Sequence, residues 1–543
     1  MKKMLFVALA ALGFIACDNS DLNDGNNPHS GEVETSYIAI NLNAADNSTR
    51  AADGTYQEGL NAEREVKSAY FFFFDQYGNP FTVTGNPATA PRGEVNWISA
   101  TLDNVGKEMN NVSDIKDAVL VLSTYVGMYP SQIVAVLNWA PTANKVYSLD
   151  DLYAATNIQG VDNAFVMSNA VYSDGTNAVV GTPITASVIH KNETDAKANP
   201  VTIYVERIAA KVTVTANEVE ESRFKVTKPV MLGGSNKDVY VQVTGWELHN
   251  DFAQSTLLKQ IDPSWTDLGF TWNDAAWHRC YWSTSLPFDK IGTNTFPYTF
   301  SLQLGDNAKV AVGTYNDGTY TYVGENTNYN TTDKTAYCTK VIIKAQLQEK
   351  VGENYQQLPL ARWYATYYAG EEALLTAVAN TIQYQYYWDN GTGYSKIAPA
   401  DLIVVKEGNL VKFQLSTAAE GKNWYIKTGD TYTLKNKEEM NVLLGGIEKA
   451  VYYENGETLY SVDIAHLGYQ LPGDQLGDYG VVRNHIYNVV LNSFGGFGSP
   501  VYVPGSNLEY PDDPYVTGEY VSAEVRILSW RLVSQEVNVQ PQP

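Results

Sequence analysis

The chain has 543 residues, of which 60 are Asp or Glu and 37 are Lys or Arg, so its formal net charge is −23 at pH 7. This excess of negative charge argues against binding to nucleic acids and anionic lipid surfaces. The length exceeds what one ordinary core supports and predicts at least two domains, and 38 Tyr and 41 Gly with only 18% charged residues favour β-structure.

The N-terminus is typical of an exported protein. Lys2 and Lys3 precede an apolar stretch, residues 4–16, that is too short to span a bilayer comfortably and fits a secretory signal peptide. Cys17 follows in the sequence FIAC, which resembles a lipobox, although Phe14 stands where Leu is usual. The sequence therefore predicts a lipidated Cys17 followed by a polar tether. An ordinary signal peptide beside an unrelated cysteine is the alternative.

The first β-strand is predicted at residues 36–44, where Ile38, Ile40 and Leu42 alternate and share one face. The next stretch, NSTRAADG at residues 47–54, contains Arg50, the first basic residue after Lys3. Its neighbours are small and polar, which is typical of an exposed loop that a protease can cut.

Strand patterns dominate the rest of the chain, and helix patterns are few. Ser148 and the acids that follow it predict a short capped helix, and Glu371 begins a second helical pattern. A junction between domains is expected at residues 221–236, and the two blocks of strands predict two β-sandwich domains with a few short helices. The predicted strands are 66–75, 131–139, 163–172, 201–216, 238–250, 339–349, 401–416 and 458–468, and the predicted helices are 148–156 and 371–387.

The sequence offers no convergent set of catalytic or metal-binding residues. The six histidines are scattered, and the closest group is Asp274, His278 and Cys280, which is too small for a zinc site. We therefore expect no catalytic residue, no metal, no cofactor and no enzyme activity. The aromatic residues between Trp272 and Trp282 fit either a sugar-stacking platform or a core, and Cys280 and Cys338 fit either a disulfide or two buried thiols.

The C-terminal end is unusual because a proline-rich stretch, residues 499–519, precedes twenty strand-like residues. The apolar alternation slips by one residue near Ile527 and Leu528, which predicts a bulge or a change of environment. The segment is interpreted as a strand that can leave its own domain, or as the final strand of the C-terminal sandwich. Its apolar residues on the first face are Val521, Ala523, Val525 and Ile527, and those on the next are Leu528, Trp530 and Leu532.

Four segments resemble a known family. GVVRNHIYNVVLNSFGGFGSP at 480–500 resembles the C-terminal signature of the fimbrillins of the Bacteroidia type V pilus. The closing EVRILSWRLVSQEVNV resembles the tail of their shaft subunits, especially the major subunit of short (minor) fimbriae, and AFVMSN at 164–169 and VERIAAKV at 205–212 are similar to segments of their N-terminal domain. The resemblance implies a mainly β fold with two tandem transthyretin-like β-sandwich domains, a few short helices and a C-terminal donor strand.

The resemblance also implies a domain organisation. Residues 1–16 would be the lipoprotein signal peptide, and residues 17–50 the propeptide with the tether and the first strand. Residues 51–225 and 226–510 would form the N-terminal and C-terminal β-sandwich domains, and residues 511–543 the linker and donor strand.

The implied function is that of a structural pilin subunit that supports adhesion. The precursor would be anchored to the outer membrane by its lipid, and a trypsin-like Arg-specific protease would cut between Arg50 and Ala51. The tail of a neighbouring subunit would then occupy the place of the lost strand, giving a head-to-tail polymer with other copies and accessory fimbrial subunits at the cell surface. Arg64 and Lys67 are rival cleavage sites, and Arg50 as a surface residue without a role is the remaining alternative.

Two other classes of protein compete with this interpretation. A surface glycan-binding lipoprotein would share the lipobox, tether and β-domains, but would expose a tryptophan platform and would not be processed after Arg50. A secreted hydrolase is disfavoured because the sequence lacks a convergent acid and base.

Overall fold

The computed structural model describes fifteen stretches of the chain, and the statements below concern these residues. The described stretches are 33–44, 60–83, 95–99, 103–104, 116–125, 128–173, 178–216, 223–227, 230–261, 283–286, 320–327, 338–408, 410–466, 479–500 and 521–529.

The described chain consists mainly of β-strands, which confirms the predicted fold class at that level. In the first part of the chain they are β1 Val33–Ala44, β2 Ala69–Phe74, β3 Trp97–Ser99, β4 Asp103–Asn104, β5 Lys116–Tyr125, β6 Gln132–Leu137, β7 Ala155–Asn157, β8 Met167–Asn169, β9 Tyr172–Ser173, β10 Ala178–Val179, β11 Thr182–Pro183 and β12 Val201–Arg207.

The strands of the middle part are β13 Ala209–Ala216, β14 Arg223–Lys225, β15 Val230–Leu232, β16 Ser235–Lys237, β17 Tyr240–His249, β18 Gln254–Thr256, β19 Tyr320–Gly324, β20 Lys340–Val351, β21 Asn354–Gln357, β22 Leu360–Trp363 and β23 Thr366–Ala369. The remaining strands are β24 Tyr386–Asp389, β25 Tyr394–Lys396, β26 Leu402–Glu407, β27 Leu410–Leu415, β28 Trp424–Thr428, β29 Thr431–Lys435, β30 Ala450–Tyr453, β31 Glu457–Asp463, β32 His485–Phe494, β33 Ser499–Pro500 and β34 Val521–Ser529.

Helices are short. The α-helices are α1 Asn61–Arg64, α2 Glu193–Ala198, α3 Gly370–Ile382 and α4 Lys437–Gly445, and the 3-10 helices are Asp150–Tyr153, Val161–Asn163, Ala186–Val188, Pro399–Asp401 and Glu454–Gly456. Within the described stretches, every helix is too short or too polar to cross a membrane.

Several predicted elements occur in altered form. The predicted helix at 148–156 is a single 3-10 turn, Asp150–Tyr153, whose N-cap position is Leu149 and not Ser148. Ser148 Oγ does accept the Asp151 N–H at 3.2 Å. The predicted strand 401–416 is a hairpin of β26 and β27, and the predicted strand 201–216 is divided at Ile208. The expected junction at 221–236 contains β14, β15 and part of β16, each paired with a neighbouring strand.

The first sheet is built from the N-terminal part of the chain and has the strand order β3-β2-β6-β8-β12-β1-β5-β4, with β11 paired to β6. β2 is buried on both faces, because Phe71 and Phe73 pack into the same core as β1 while Phe72 and Phe74 pack into a core on the opposite face. This two-sided burial explains the aromatic run that the sequence shows there.

The chain leaves the first sheet at Ile208. β12 ends at Arg207, and β13 pairs with β19 and β32 in a separate four-stranded sheet of order β19-β13-β32-β34. That sheet shares a core with a six-stranded sheet of order β14-β17-β20-β31-β33, with β21 paired to β20. The predicted domain boundary between residues 225 and 226 stays a prediction.

A further core forms between residues 361 and 450, where α3 and α4 pack with strands of two more sheets. One sheet has the order β16-β15-β23-β22-β30-β27-β26, and the other has the order β25-β24-β28-β29. Trp424 and Phe413 are fully buried in this core. We call the part of the chain from α3 to α4 the helical lobe.

Candidate functional site

The predicted first strand, β1, lies in the interior of the first sheet. It pairs antiparallel with β5 through residues 33–42 and parallel with β12 through residues 40–44. Before β12 begins, Tyr37 N donates to His190 O at 2.7 Å, and His190 N donates to Tyr37 O at 2.9 Å. β1 therefore has hydrogen-bonded neighbours on both edges.

The side chains of β1 fill the first core. Ile38 and Ile40 are 0% and 1% exposed, and Ser36 and Ala39 are also buried. The two isoleucines share their core with residues of β5 and β12, namely Ala118, Leu120, Leu122, Val201, Ile203 and Val205. The predicted inward face is confirmed for Ile38 and Ile40, whereas the side chain of Leu42 lies outside the described set.

Because β1 separates β5 from β12, its removal would open a gap one strand wide. Both edges of that gap would carry unpaired backbone N–H and C=O groups, and its floor would be apolar. Only an extended segment with apolar residues at every second position satisfies both requirements.

Glu63, in α1, anchors the chain just beyond the gap. Its carboxylate accepts hydrogen bonds from Lys211 Nζ at 2.9 Å, from Leu60 N at 2.8 Å and from the hydroxyl of Tyr322. Arg207 Nε donates to the Glu63 carbonyl oxygen at 2.6 Å. Burial by itself would raise the pKa of Glu63, but the hydrogen bonds from Tyr322 and Lys211 and the charge of Lys211 lower it overall.

The predicted processing residues cannot be placed. Cys17, Arg50 and Ala51 lie outside the described residues, so lipidation and cleavage stay predictions. Of the rival sites, Arg64 is the last residue of α1, and Lys67 forms an ion pair with Glu65.

The predicted donor segment is partly described as β34. It pairs antiparallel with β32, from Val521 opposite Phe494 to Ser529 opposite His485, and it ends its sheet in the described part of the chain. The bulge predicted near residues 527–528 is wrong in position, because pairing is continuous there and the irregularity lies between Leu491 and Ser493 on β32.

Five of the seven predicted donor residues are therefore described, and only in their backbone pairing. Val521, Ala523, Val525, Ile527 and Leu528 belong to β34, whereas Trp530 and Leu532 lie beyond the described residues. Since β34 ends its sheet in the described part of the chain, it can leave without opening the interior of that described sheet.

Sequence reasoning missed a buried group of four charges between the first sheet and the strands that follow it. Arg483 is paired with Glu325, with an NH2–Oε2 distance of 2.9 Å, and Lys259 is paired with Glu206, with an Nζ–Oε1 distance of 3.2 Å. All four side chains are at most 1% exposed. We call them the buried charge quartet.

Arg483 is fully satisfied by its surroundings. Its NH1 donates to the Leu257 carbonyl oxygen at 3.2 Å, and its NH2 donates to Thr256 Oγ1 at 2.8 Å and to Ser255 Oγ at 3.2 Å. The next residue, Asn484, has a φ of 57° and accepts from Arg207 NH1 at 3.3 Å through Oδ1. The sequence segments 480–500 and 205–212, noted for their resemblance, thus contact each other.

The two acids of the buried charge quartet have pKa shifts in opposite directions. Burial raises the pKa of Glu206, although the charges of Lys259 and Arg483 oppose that shift. Burial acts in the same direction on Glu325, but the charges of Arg483 and Lys259 outweigh it, and the pKa of Glu325 is lowered. A signal in the sequence was present, since Glu206 is a charged residue within an alternating apolar strand.

Two smaller questions stay open. Cys338 is buried, with its Sγ 3.7 Å from Asp463 Oδ1, while Cys280 lies outside the described residues. Asp274, His278 and the aromatic residues between Trp272 and Trp282 lie outside them as well. Neither a disulfide nor a tryptophan platform can be described.

Comparison with known proteins gives a match at the C-terminal end. Residues 451–536 match the family model described as "Major fimbrial subunit protein type IV, Fimbrillin, C-terminal". The matched region includes β31 to β34 and the 480–500 segment. The predicted resemblance to fimbrillins is therefore confirmed for this region.

Solved structures give weaker likenesses. A candidate cell adhesion protein of Parabacteroides distasonis is 12% identical with a TM-score of 0.38, over 92% of this chain and 98% of that one. A fimbrilin of Porphyromonas gingivalis W83 is 12% identical with a TM-score of 0.35, over 92% of this chain and 99% of that one. These scores are too low to carry an argument. No curated protein matches the chain.

Proposed function

We propose that this chain is the lipidated precursor of a surface fimbrial subunit that is processed after Arg50 and polymerises by exchange of a β-strand. The position of β1 carries the proposal. It is an interior strand with buried Ile38 and Ile40, and it leads directly into the segment that contains Arg50. A single cut there would detach an interior strand from the folded body.

The local contacts around the two rival sites, Arg64 and Lys67, favour cleavage after Arg50. A protease needs an extended, accessible segment. Arg64 follows the buried Glu63 within α1, and Lys67 N donates to Asn138 Oδ1 at 2.6 Å. Arg50, among small polar residues, lies in the linker between β1 and α1.

The gap that loss of β1 would open fits the C-terminal tail of another copy. Burial of Ile38 and Ile40 stabilises β1 by about 1.5–3 kcal/mol per side chain, so the open gap would bind an apolar strand strongly. β34 spans nine residues against the twelve of β1, and Val521, Ala523, Val525 and Ile527 alternate as the gap requires. Leu528, Trp530 and Leu532 extend the apolar character of the tail.

Assembly by this route is head to tail, because the gap and the tail belong to different sheets of one subunit. Such a contact propagates into a filament instead of closing a dimer. The partners are other copies and accessory fimbrial subunits. Before cleavage, the lipid on Cys17 anchors the precursor to the outer membrane. While β1 is in place, it blocks the gap and prevents early assembly.

The test is Arg50→Ala, with Arg64→Ala as the matched control. We expect Arg50→Ala to leave full-length lipidated monomers and no fibres, and Arg64→Ala to give fibres whose subunits begin at Ala51. Fibres sheared from cells are analysed by gel electrophoresis and N-terminal sequencing. Normal fibres from Arg50→Ala would refute the cleavage site.

Deletion of residues 520–543 tests the donor separately. The truncated subunit should fold and accept the tail of a full-length subunit, but should donate none, so mixing it with full-length subunits shortens the fibres. Electron microscopy measures their length. If the truncated subunit alone polymerises normally, the tail is not the donor.

A further inference from the structure

The four-stranded sheet of the helical lobe has one face without a covering layer among the described residues. One side, with Trp424 and Tyr386, packs into the lobe's core. Because side chains alternate along strands, the other side carries a cluster of aromatic residues. We call Tyr387, Tyr394, Tyr425 and Tyr432 the tyrosine face.

The tyrosine face is an ordered stack. Tyr394 and Tyr432 come from the two edge strands, β25 and β29, and lie parallel above the strands between them, with ring centroids 3.9 Å apart and an interplanar angle of 2°. Tyr425 meets Tyr394 edge-on at 5.0 Å, and Tyr387 meets Tyr432 edge-on at 5.3 Å. Tyr394 nevertheless stays 47% exposed.

Two lysines flank the stack. Lys427 Nζ lies 5.6 Å from the ring centroid of Tyr432, and Lys396 Nζ lies 4.1 Å from that of Tyr384, which is 66% exposed. Neither lysine has a carboxylate partner in the described part of the chain, whereas Lys435, one strand away from Lys427, pairs with Glu439.

One acid lies on the same face of the sheet. Asp389 shares this face opposite Tyr394, and its Oδ1 accepts the Gly391 N–H at 2.8 Å. Lys396 Nζ donates to the neutral side-chain oxygen of Gln383 at 3.4 Å. In a chain of net charge −23, two ammonium groups without a carboxylate partner in the described stretches form a local site for a negative charge.

We propose that the tyrosine face binds a carboxylated sugar residue of a surface glycan. The C–H groups on one face of a pyranose carry slight positive charge and pack against the negative face of an aromatic ring. Sugar hydroxyls hydrogen-bond to phenol hydroxyls, and the carboxylate pairs with Lys427 or Lys396. The proposal does not depend on strand exchange.

A neutral sugar or an acidic peptide would each satisfy only part of this surface. A neutral sugar leaves the two ammonium groups unused, and a peptide lacks the flat C–H face that the stack offers. Cross-strand stabilisation of the sheet itself is the remaining explanation, and it predicts no ligand.

The test compares 3′-sialyllactose with lactose, which differ by one carboxylated sugar, in calorimetric titrations of the full chain. We expect sialyllactose to bind at least about tenfold more tightly, as one charge-assisted contact allows. Lys427→Gln combined with Lys396→Gln should remove that preference, and Lys427→Arg combined with Lys396→Arg should keep it. Lys406→Gln, at a lysine paired with Glu454, is the control.

Aromatic stacking is tested with Tyr394→Ala and Tyr394→Phe. Tyr394→Ala should weaken binding about tenfold, while Tyr394→Phe, which keeps the ring, should retain most of it; Tyr364→Ala, at an exposed tyrosine elsewhere, should change nothing. Equal binding of the two sugars, no binding of sialyllactose, or an equal loss in the control variants would overturn the proposal.

Discussion

Glu63 determines where the folded body of the chain begins. It is 0% exposed, and its partners Lys211, Arg207 and Tyr322 come from distant strands. A buried carboxylate is tolerated only when it is paired and hydrogen-bonded. Here Lys211, Tyr322 and the Leu60 N–H bond the carboxylate, while Arg207 bonds the backbone carbonyl oxygen of Glu63. The segment after Arg50 is thereby held to the body even when β1 is absent.

Removal of one partner of this ion pair should be costly. Lys211→Met leaves the Glu63 carboxylate buried without its cation, and we expect the free energy of unfolding to fall by about 3–5 kcal/mol. Urea unfolding followed by circular dichroism measures it. Lys225→Met, at an exposed pair with Asp238, is the control, for which a much smaller loss is expected because solvent screens the pair. Equal small losses would show that Glu63 finds other compensation.

The same carboxylate gives a pH dependence. Since the pKa of Glu63 is lowered in the folded chain, its ionised form adds stability above the unfolded carboxyl pKa of about 4.3, and that stability is lost as the pH falls below it. Unfolding between pH 7 and pH 3 should therefore show a shallower acid decline for Glu63→Gln than for the unaltered chain. Identical slopes would contradict the assignment.

At the scale of elements, β1 and β34 have contrasting positions. β1 lies inside a sheet with neighbours on both edges, whereas β34 ends its sheet in the described structure. An interior strand holds its sheet together, and an edge strand can be exchanged with little loss. In the proposed assembly, β1 is therefore the strand that cleavage removes, and β34 is the strand that is donated to another subunit.

Ile40→Ala tests whether β1 is lost on processing. Truncation of this buried side chain should lower the stability of the precursor by about 2–5 kcal/mol, but should not alter the subunit that begins at Ala51. Denaturation of both forms measures the difference. Ile403→Ala, at a site 36% exposed, is the control. A loss in both forms would show that β1 remains bound after cleavage.

At the scale of the whole molecule, the buried charge quartet joins the first sheet to the strands that follow it. Glu206 lies on β12, which pairs with β1, while Arg483 lies two residues before β32, with which β34 pairs. β12 and β13 are also separated by Ile208 alone. β12, which pairs with β1, is thus followed directly by β13, which pairs with β32, the partner of β34.

A double-mutant cycle on Arg483 and Glu325 measures this connection. Arg483→Met should cost about 3–5 kcal/mol because it leaves Glu325 buried and unpaired, and adding Glu325→Met should recover part of that loss. Chemical denaturation of the four forms measures the coupling energy. Strictly additive losses would show that the two side chains do not depend on each other.

The sequence by itself determined the β-character of the chain, the strand at β1 with Ile38 and Ile40 inward, and the fimbrillin character of the C-terminal region. These features are local, because alternation with period two records which face of a strand is buried.

Only the tertiary structure decided which element covers each buried face. Arg483 and Glu325 are 158 residues apart in the sequence, and the tyrosine stack joins two edge strands across two others, so no local pattern could pair them. The position of β1 between β5 and β12 was decided in the same way. Long-range pairing depends on complementary surfaces brought together by folding, whereas a local pattern records only that a surface must be covered.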